Sequence, residues 1–228
     1  MRSLIIRFED CEGPGIYEKV LREKGYSITY HDAFHADLEL IPTSHQMFDF
    51  FLFLGGSASV YATEKKEYFQ PYKNLINDSL NLNKKVMGVC LGSQLLAEVL
   101  GATVNRGAKG GEFGFGKIHI SNINHDIFKG IQDPELDVFH FHNDVFTSPK
   151  DSSILGNSTL YENQIFIFKN IALGILPHFE LTIEMYYVWK SRFHDIRSKV
   201  NENNDMLTLF NKVNLTGETI LKNFLNLS

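Results

Sequence analysis

The chain has only two cysteines, Cys11 and Cys90, among its 228 residues. Two cysteines cannot build the disulfide framework of a small secreted scaffold, and the sequence contains no zinc-finger spacing. We therefore predict a fold that is held together by its own hydrophobic core in a reducing, cytoplasmic compartment. We predict neither a metal ion nor a cofactor.

An excess of positive charge is also lacking, because 27 acidic residues outnumber 22 basic ones and the formal net charge is −5. Proteins that bind nucleic acid need clustered Lys and Arg. No run approaches the roughly 20 apolar residues that cross a membrane, and the N-terminal apolar run is too short for a signal peptide. We expect small-molecule or protein partners, and we predict no nucleic-acid or membrane binding.

The first hundred residues do contain alternating strand-like and helix-like segments. Leu4–Ile6 and Tyr26–Tyr30 have strand patterns, and a helical pattern over Tyr17–Lys24 ends at Gly25. The almost continuous apolar run Phe48–Leu54 is typical of a parallel strand that is covered on both faces. The alternation predicts a doubly wound α/β fold with a mostly parallel sheet, whose reactive groups lie at the carboxyl ends of the strands.

The alternation of strand-like and helix-like segments stops after Gly101. A glycine-rich segment, Arg106–Gly116, predicts a loop, and three later strand patterns separated by turn residues predict a small antiparallel β addition. These patterns are Lys117–Ile120, Asp137–Phe141 and Gln164–Phe168. No repeat or low-complexity linker divides the chain, so we predict one domain over residues 1–228.

A charged stretch from Glu64 to Leu82 predicts a helix that breaks near Pro71. It leads into a strand pattern, Lys85–Val89, that runs through Cys90 into a helix pattern ending at Gly101. The predicted elements thus place a cysteine at a strand-to-helix corner.

Such a corner lifts a thiol above the sheet and points the free amides of the following helix toward it. Gly88 and Gly92 flank Cys90, and we expect them to relax the steric limits of a sharp turn. Cys90 is therefore a candidate nucleophile. The alternative is that it is an ordinary buried thiol, as most free cysteines are.

The groups that a cysteine nucleophile needs follow other predicted strands. Gly55 and Gly56 end the run Phe48–Leu54 and can present backbone amides to an oxyanion. His178 follows the strand pattern Ala172–Leu176, and Glu180 is placed to hold its second imidazole N–H. Because the carboxyl ends of parallel strands meet at one edge of a sheet, we expect these groups to lie together.

Several of these segments resemble class I glutamine amidotransferases. Gly88–Ala97 matches the family's nucleophile motif, Gly-(Ile/Val)-Cys-x-Gly-x-Gln, and Leu54–Ser57 is similar to its oxyanion-loop glycines. Asp137–Phe146 and Ile220–Leu225 resemble the pocket strand and the C-terminal helix of stand-alone members that are similar to the amidotransferase domain of GMP synthase. The resemblance implies a flavodoxin-like fold and hydrolysis of the glutamine side-chain amide through a γ-glutamyl thioester.

The resemblance also implies roles for individual residues. Cys90 would be the nucleophile, His178 the general base and acid, and Glu180 the group that orients the histidine. The implied oxyanion donors are the amides of Gly56 and Leu91, and the implied substrate-binding residues are Gly55, Gln94, Asn143 and Asp144.

Two departures from the family pattern are visible. The chain reads Leu-Pro-His-Phe-Glu over Leu176–Glu180 where the family usually reads Gln-Phe-His-Pro-Glu, and it has Asn143 where the subgroup usually has glycine. No ATP-binding synthetase domain accompanies the motifs.

Three functions stay open at this stage. The first is a glutaminase-type amidotransferase that passes ammonia to an unidentified acceptor or to a synthetase partner subunit. The second is a γ-glutamyl peptidase or hydrolase that acts on γ-glutamyl peptides or amines. The third is a binding or regulatory protein that keeps the fold but has impaired catalysis.

Overall fold

A nine-stranded sheet forms the centre of the computed structural model, which describes residues 1–35, 45–202 and 205–227. The strands are β1 (Arg2–Arg7), β2 (Ser27–Asp32), β3 (Phe50–Phe53), β4 (Lys85–Val89), β5 (Val104–Arg106), β6 (Glu112–Ile120), β7 (Glu135–His142), β8 (Asp144–Phe146), β9 (Ser153–Asn157), β10 (Ile165–Phe168) and β11 (Ala172–Ile175). The helices are α1 (Ile16–Glu23), α2 (Lys66–Asn81), α3 (Leu91–Val99), α4 (Ile183–Arg192), α5 (His194–Lys199) and α6 (Met206–Asn226). Short 3-10 turns cover His45–Met47, Thr63–Lys65 and Asp126–Phe128.

The strand order in the large sheet is β2-β1-β3-β4-β11-β10-β9-β6-β7. The five strands from β2 to β11 are parallel, and the remaining strands pair antiparallel. The predicted doubly wound α/β fold with an antiparallel addition is confirmed. Most of the antiparallel strands extend the main sheet, while β5 and β8 form a separate two-stranded sheet.

Helices cover both faces of the parallel half of the sheet. Helices α1 and α6 contribute to one apolar cluster, and α2 and α3 contribute to another on the opposite face. Strand β3 is continuously apolar because both of its faces are buried. Phe50 and Leu52 join the first cluster, while Phe51 and Phe53 join the second. Among the described residues, no helix has both the length and the apolar character required to cross a membrane.

Two local predictions are wrong. Helix α2 runs through Pro71 without a break. We attribute this to the position of Pro71 near the N-terminal end of the helix. The proline ring crowds the carbonyl of the residue four positions earlier, which is Glu67 in the first turn of the helix.

The glycine-rich segment is only partly a loop, because Glu112–Gly116 pairs with β7 as part of β6. A side chain at Gly116 would lie 2.8 Å from the His140 ring, so this glycine serves cross-strand packing.

The corner around Cys90 has a different cause from the one we expected. Cys90 itself carries the positive φ, at 49°, whereas Gly88 and Gly92 do not lie in the left-handed region. A Cβ atom on Gly88 would overlap the carbonyl of Gly92, and one on Gly92 would overlap the carbonyl of Phe53. The two glycines therefore allow α3 to approach the sheet closely, and this approach holds Cys90 in its unusual conformation.

We predict that Gly217→Ala destabilises the protein, although alanine is the better helix former. A Cβ atom there would lie 2.7 Å from Cβ of Phe179 and 3.0 Å from its carbonyl oxygen, so α6 would have to shift. We expect a net loss of about 1–2 kcal/mol in the free energy of unfolding, measured by urea denaturation.

The matched control is Leu215→Ala on the solvent side of the same helix, where the side chain is 67% exposed. This variant should stay within about 0.5 kcal/mol of the wild type. A Gly217→Ala variant that is as stable as the wild type would contradict the proposed close packing of α6.

Candidate active site

Cys90 lies at the N-terminus of α3, directly after β4. Its backbone N–H donates to the carbonyl of Ile175 at 2.9 Å, which ties the corner to β11. Its side chain is 6% exposed, and Sγ lies 3.8 Å from the carbonyl oxygen of Phe141. A non-glycine residue with positive φ at a strand-to-helix turn is the geometry of a nucleophile elbow.

His178 and Glu180 form a buried pair close to this corner. Nδ1 of His178 lies 2.6 Å from Oε1 of Glu180, and both side chains are almost fully buried. The backbone N–H of His178 donates to the carbonyl of Phe139 at 2.7 Å. Pro177 and Phe179, which depart from the family pattern, therefore do not prevent the histidine from meeting its acidic partner.

The surroundings raise the pKa of His178 well above its ordinary value. Burial alone would lower the pKa, but the charge of Glu180 and hydrogen bonding with the Cys90 and Glu180 side chains outweigh it. Nε2 of His178 has no partner with full hydrogen-bond geometry in the described residues. A protonated imidazole beside a thiol can supply both a thiolate nucleophile and an acid for the leaving group.

Two residues that the sequence did not single out hold this pair in place. The Trp189 ring packs edge-on against His178 with 4.9 Å between ring centroids, and its Nε1–H donates to the carbonyl of Cys11 at 3.0 Å. Nδ2 of Asn214, on α6, donates to the carbonyls of Phe179 and Leu181 at 2.9 and 3.0 Å. No sequence signal marks either residue, because both act across long separations.

The predicted oxyanion side lies at the ends of β3 and β4, which are parallel neighbours. A Cβ atom on Gly56 would lie 2.7 Å from Cδ2 of Leu91, so the Gly56 backbone runs against the start of α3. The N–H of Gly92 donates to the carbonyl of Leu54 at 3.0 Å. The amide of Leu91 is in the first turn of α3, where backbone N–H groups have no acceptor within the helix and are of the kind that binds anions.

A cavity of about 360 Å³ opens over Cys90. Gly56 and three of the predicted substrate-binding residues, Gln94, Asn143 and Asp144, line it. Gly55 and Leu91 are not among its lining residues.

The polar residues of this wall are connected. Nε2 of Gln94 donates to the carbonyl of Asp144 at 3.4 Å, and the Asp144 carboxylate accepts hydrogen bonds from Ser59 and Tyr61 at 2.6 and 3.0 Å. Asn143 does not adopt positive φ, so replacing the usual glycine causes no backbone strain there. Asn143 follows β7 directly and Asp144 begins β8, so their position depends on these two strands.

Within the described residues, one cluster of side chains has the residue types and spacing that could ligate a metal ion. It consists of Glu112, His140 and His142. One ligand atom from each lies within 4.8 Å of the others, and all three side chains are buried. Glu112 accepts a hydrogen bond from Nε2 of Gln164 at 2.7 Å and lies 3.2 Å from Nε2 of His142. The carboxylate thus anchors the end of β7 immediately before Asn143.

Sequence reasoning missed Glu12, which lies in the loop after β1 and lines the cavity together with Cys90. Its side chain is 5% exposed, and a Cβ atom on Gly55 would overlap its carboxylate. Burial raises the pKa of Glu12 to about 8; the charge of His178 opposes this shift, while Glu180 and Glu9 add to it. The one sequence signal that pointed to Glu12 was its position shortly after a predicted strand, at the carboxyl edge of the sheet.

Comparisons with known proteins show which family the fold belongs to. The family model "Glutamine amidotransferase class-I" matches residues 16–170. The glutamine amidotransferase-like protein YfeJ of Salmonella typhimurium is 31% identical over 81% of this chain and 77% of its own length. A glutamine-hydrolysing GMP synthase subunit of Sulfurisphaera tokodaii is 32% identical over 59% of this chain and 68% of its own length.

γ-Glutamyl peptidase 4 of Arabidopsis thaliana is 32% identical over 47% of this chain and 44% of its own length. The crystal structure of a glutamine amidotransferase from Thermotoga maritima superposes with a TM-score of 0.85 at 29% identity, covering 99% of this chain and 98% of that one.

We predict that Glu12→Gln stabilises the protein by an amount that grows between about pH 4.5 and pH 8. The unfolded carboxyl loses its proton near its ordinary pKa of 4.5, whereas the folded one keeps it up to about 8, so wild-type stability falls with pH in this window. Glutamine carries no such proton. We expect a gain on the order of a few kcal/mol at pH 8 and little difference near pH 4.5, measured by urea denaturation across pH.

Glu23→Gln, an exposed change at the end of α1, is the control and should show no such trend. A constant difference between Glu12→Gln and the wild type across this pH range would show that Glu12 does not carry the proton.

Proposed function

The chain belongs to the class I glutamine amidotransferase family, and from that premise we propose that it hydrolyses the side-chain amide of glutamine through a γ-glutamyl thioester on Cys90. The observation that carries this proposal is the position of the Cys90 thiol, at a positive-φ corner beside the buried His178–Glu180 pair. Nucleophile, base and orienting acid are the three groups that thiol-dependent amide hydrolysis requires.

In the acylation step, the Cys90 thiolate attacks the amide carbon and the C–S bond forms. The carbonyl oxygen becomes an oxyanion, which the backbone amides of Gly56 and Leu91 stabilise. The C–N bond then breaks, and the leaving nitrogen takes a proton from His178. Glu180 keeps the imidazole in the tautomer and orientation that this transfer needs.

In the deacylation step, His178 takes a proton from water, and the resulting hydroxide attacks the thioester carbon. The C–S bond breaks, glutamate leaves, and Cys90 returns to its starting state. Gln94, Asn143 and Asp144 hold the glutamyl part in both steps. Their place in one wall of the cavity with Cys90 supports this role.

The ammonia that forms is either passed to an acceptor or released. The relative from Sulfurisphaera tokodaii is one subunit of a GMP synthase, which supports a synthetase partner as one recipient for this chain.

A γ-glutamyl peptidase or hydrolase activity is the second candidate. The similarity to γ-glutamyl peptidase 4 favours it, and so does the extent of the cavity, which is lined by Phe193 and His194 as well as by Cys90. The chemistry up to the thioester is the same, and only the leaving amine differs.

We predict that a diazo-ketone analogue of glutamine labels Cys90 and leaves Cys11 unmodified. Burial raises the pKa of the Cys11 thiol to about 11, with help from neighbouring acidic residues, so its thiolate is scarce at neutral pH. Mass spectrometry of the labelled peptides reports the site. Cys90→Ala should abolish labelling and activity, whereas Cys11→Ser should retain both.

A folded wild-type protein whose Cys90 stays unlabelled would overturn the enzymatic proposal. It would favour the third function, a binding or regulatory protein with impaired catalysis.

We predict that Glu180→Gln lowers kcat/KM for glutamine by at least about tenfold, because it removes the charge that stabilises protonated His178. Glutamate release measures the effect. Glu184→Gln, at the exposed start of α4, is the matched control and should match the wild type. Unchanged activity in Glu180→Gln would remove Glu180 from the mechanism.

A panel of glutamine, γ-glutamyl dipeptides and γ-glutamyl amines separates the two enzymatic candidates. If glutamine gives the highest kcat/KM, the chain is a glutaminase-type amidotransferase. If a peptide or amine does, the peptidase candidate replaces it.

A further inference from the structure

Glu12 is a buried acid in the cavity wall for which the mechanism above has no use. In the described part of the chain, its carboxyl has no hydrogen bond and no contact ion pair, and the charge of His178 acts on it without such a contact. Burying a polar group without a partner is costly unless a ligand satisfies it. The cavity that Glu12 shares with Cys90 is the place from which a ligand can do so.

The loop that carries Glu12 is attached to the histidine side of the site. The N–H of Ile16 donates to the carbonyl of Glu180 at 3.1 Å, and the carbonyl of Cys11 accepts from Trp189, whose ring packs on His178. The carboxyl of Glu12 itself lies against Gly55 of the oxyanion loop. Glu12 therefore lies between the oxyanion loop and the segment of His178 and Glu180.

The glutamyl side of the cavity is formed by other elements. Gln94 comes from α3, Asn143 joins β7 to β8, and Asp144 begins β8. These residues are joined to one another through the hydrogen bond from Gln94 to the carbonyl of Asp144. The pKa of Glu12, by contrast, responds to the charges of His178, Glu180 and Glu9.

A tetrahedral intermediate on Cys90 has four substituents: the sulfur, the oxyanion, the glutamyl chain and the leaving nitrogen. In the mechanism proposed above, the oxyanion faces Gly56 and Leu91, and the glutamyl chain extends toward Gln94 and Asp144. The remaining substituent, the nitrogen, points toward His178. A carboxyl between Gly55 and His178 consequently faces the leaving nitrogen.

We propose that Glu12 is the leaving-group contact of this site: its carboxyl accepts a hydrogen bond from the N–H of the scissile amide and holds the ammonia or primary amine as it departs. The inference rests on the proposed function. As the C–S bond forms and the C–N bond breaks, the nitrogen lone pair takes the proton of His178, while an N–H of the same nitrogen stays bonded to Glu12. No further reactant is needed.

The protonation state of Glu12 suits this role. With a pKa of about 8, the carboxyl is mainly neutral at neutral pH, so it places no full negative charge beside the oxyanion. Its carbonyl oxygen still accepts the N–H. A permanently charged carboxylate in the same place would oppose the negative charge of the transition state.

The test compares leaving groups that share one acyl intermediate. L-Glutamine and the γ-methyl ester of L-glutamate both acylate Cys90 with the same glutamyl group, but only the amide has an N–H for Glu12. Glutaramate, which is glutamine without its α-amino group, has the same leaving group and lacks the α-ammonium. The values of kcat/KM for all three report acylation.

We expect Glu12→Ala to lower kcat/KM about tenfold to a hundredfold for glutamine and for glutaramate alike, and to leave the methyl ester within about threefold of the wild type. Glu12→Gln should lose less, because its amide oxygen can accept the N–H. It also provides the readout if Glu12→Ala does not fold. Glu23→Gln is the control and should match the wild type with every substrate.

Three results would overturn the inference alone. Equal losses with amide and ester would make Glu12 a structural residue, and no loss with glutamine would remove it from the reaction. A loss with glutamine that is absent with glutaramate would make it an α-ammonium ligand. A wild-type protein that hydrolyses neither glutamine nor the ester would instead overturn the proposed function, and the inference with it.

Discussion

The close approach of α3 to the sheet is the constraint on which the rest of the site depends. Gly88 and Gly92 lack the Cβ atoms that would separate the helix from β3 and β4, and the chain between them is forced through a positive φ at Cys90. A strained residue of this kind costs on the order of 1–3 kcal/mol and persists only where its surroundings over-determine it. Here the hydrogen bond to Ile175 and the packing of α3 do so.

The second costly feature is the burial of an ionisable pair, His178 and Glu180. Burying such a pair stabilises a protein little or not at all, because desolvation offsets the attraction. Several distant elements nevertheless contact the segment His178–Glu180. They are the Phe139 backbone, the Trp189 ring and the Asn214 amide. This concentration of contacts is what a site needs to keep an imidazole within reach of a thiol.

Patterns within single elements allowed much of the fold to be predicted. The apolar run at β3, the helix ending at Gly25 and the strand leading into Cys90 were all recognisable, because each depends on periodicity or on a local backbone requirement. The predicted helix break at Pro71 was wrong because the cost of a proline depends on its distance from the start of the helix. Composition does not show where the helix begins. The role of Gly88 and Gly92 was misjudged for a related reason, since local sequence does not reveal which backbone passes nearby.

The sequence by itself determined the α/β class, the corner at Cys90 and the spacing of His178 and Glu180, because these follow from neighbours a few residues apart. Only the tertiary structure decided that a carboxyl from the loop after β1 enters the same cavity, and that Trp189 and Asn214 hold the histidine segment. It also decided that most of the antiparallel strands extend the main sheet. The physical reason is that these contacts join parts of the chain far apart in sequence. Packing brings them together, and no local pattern specifies the pairing.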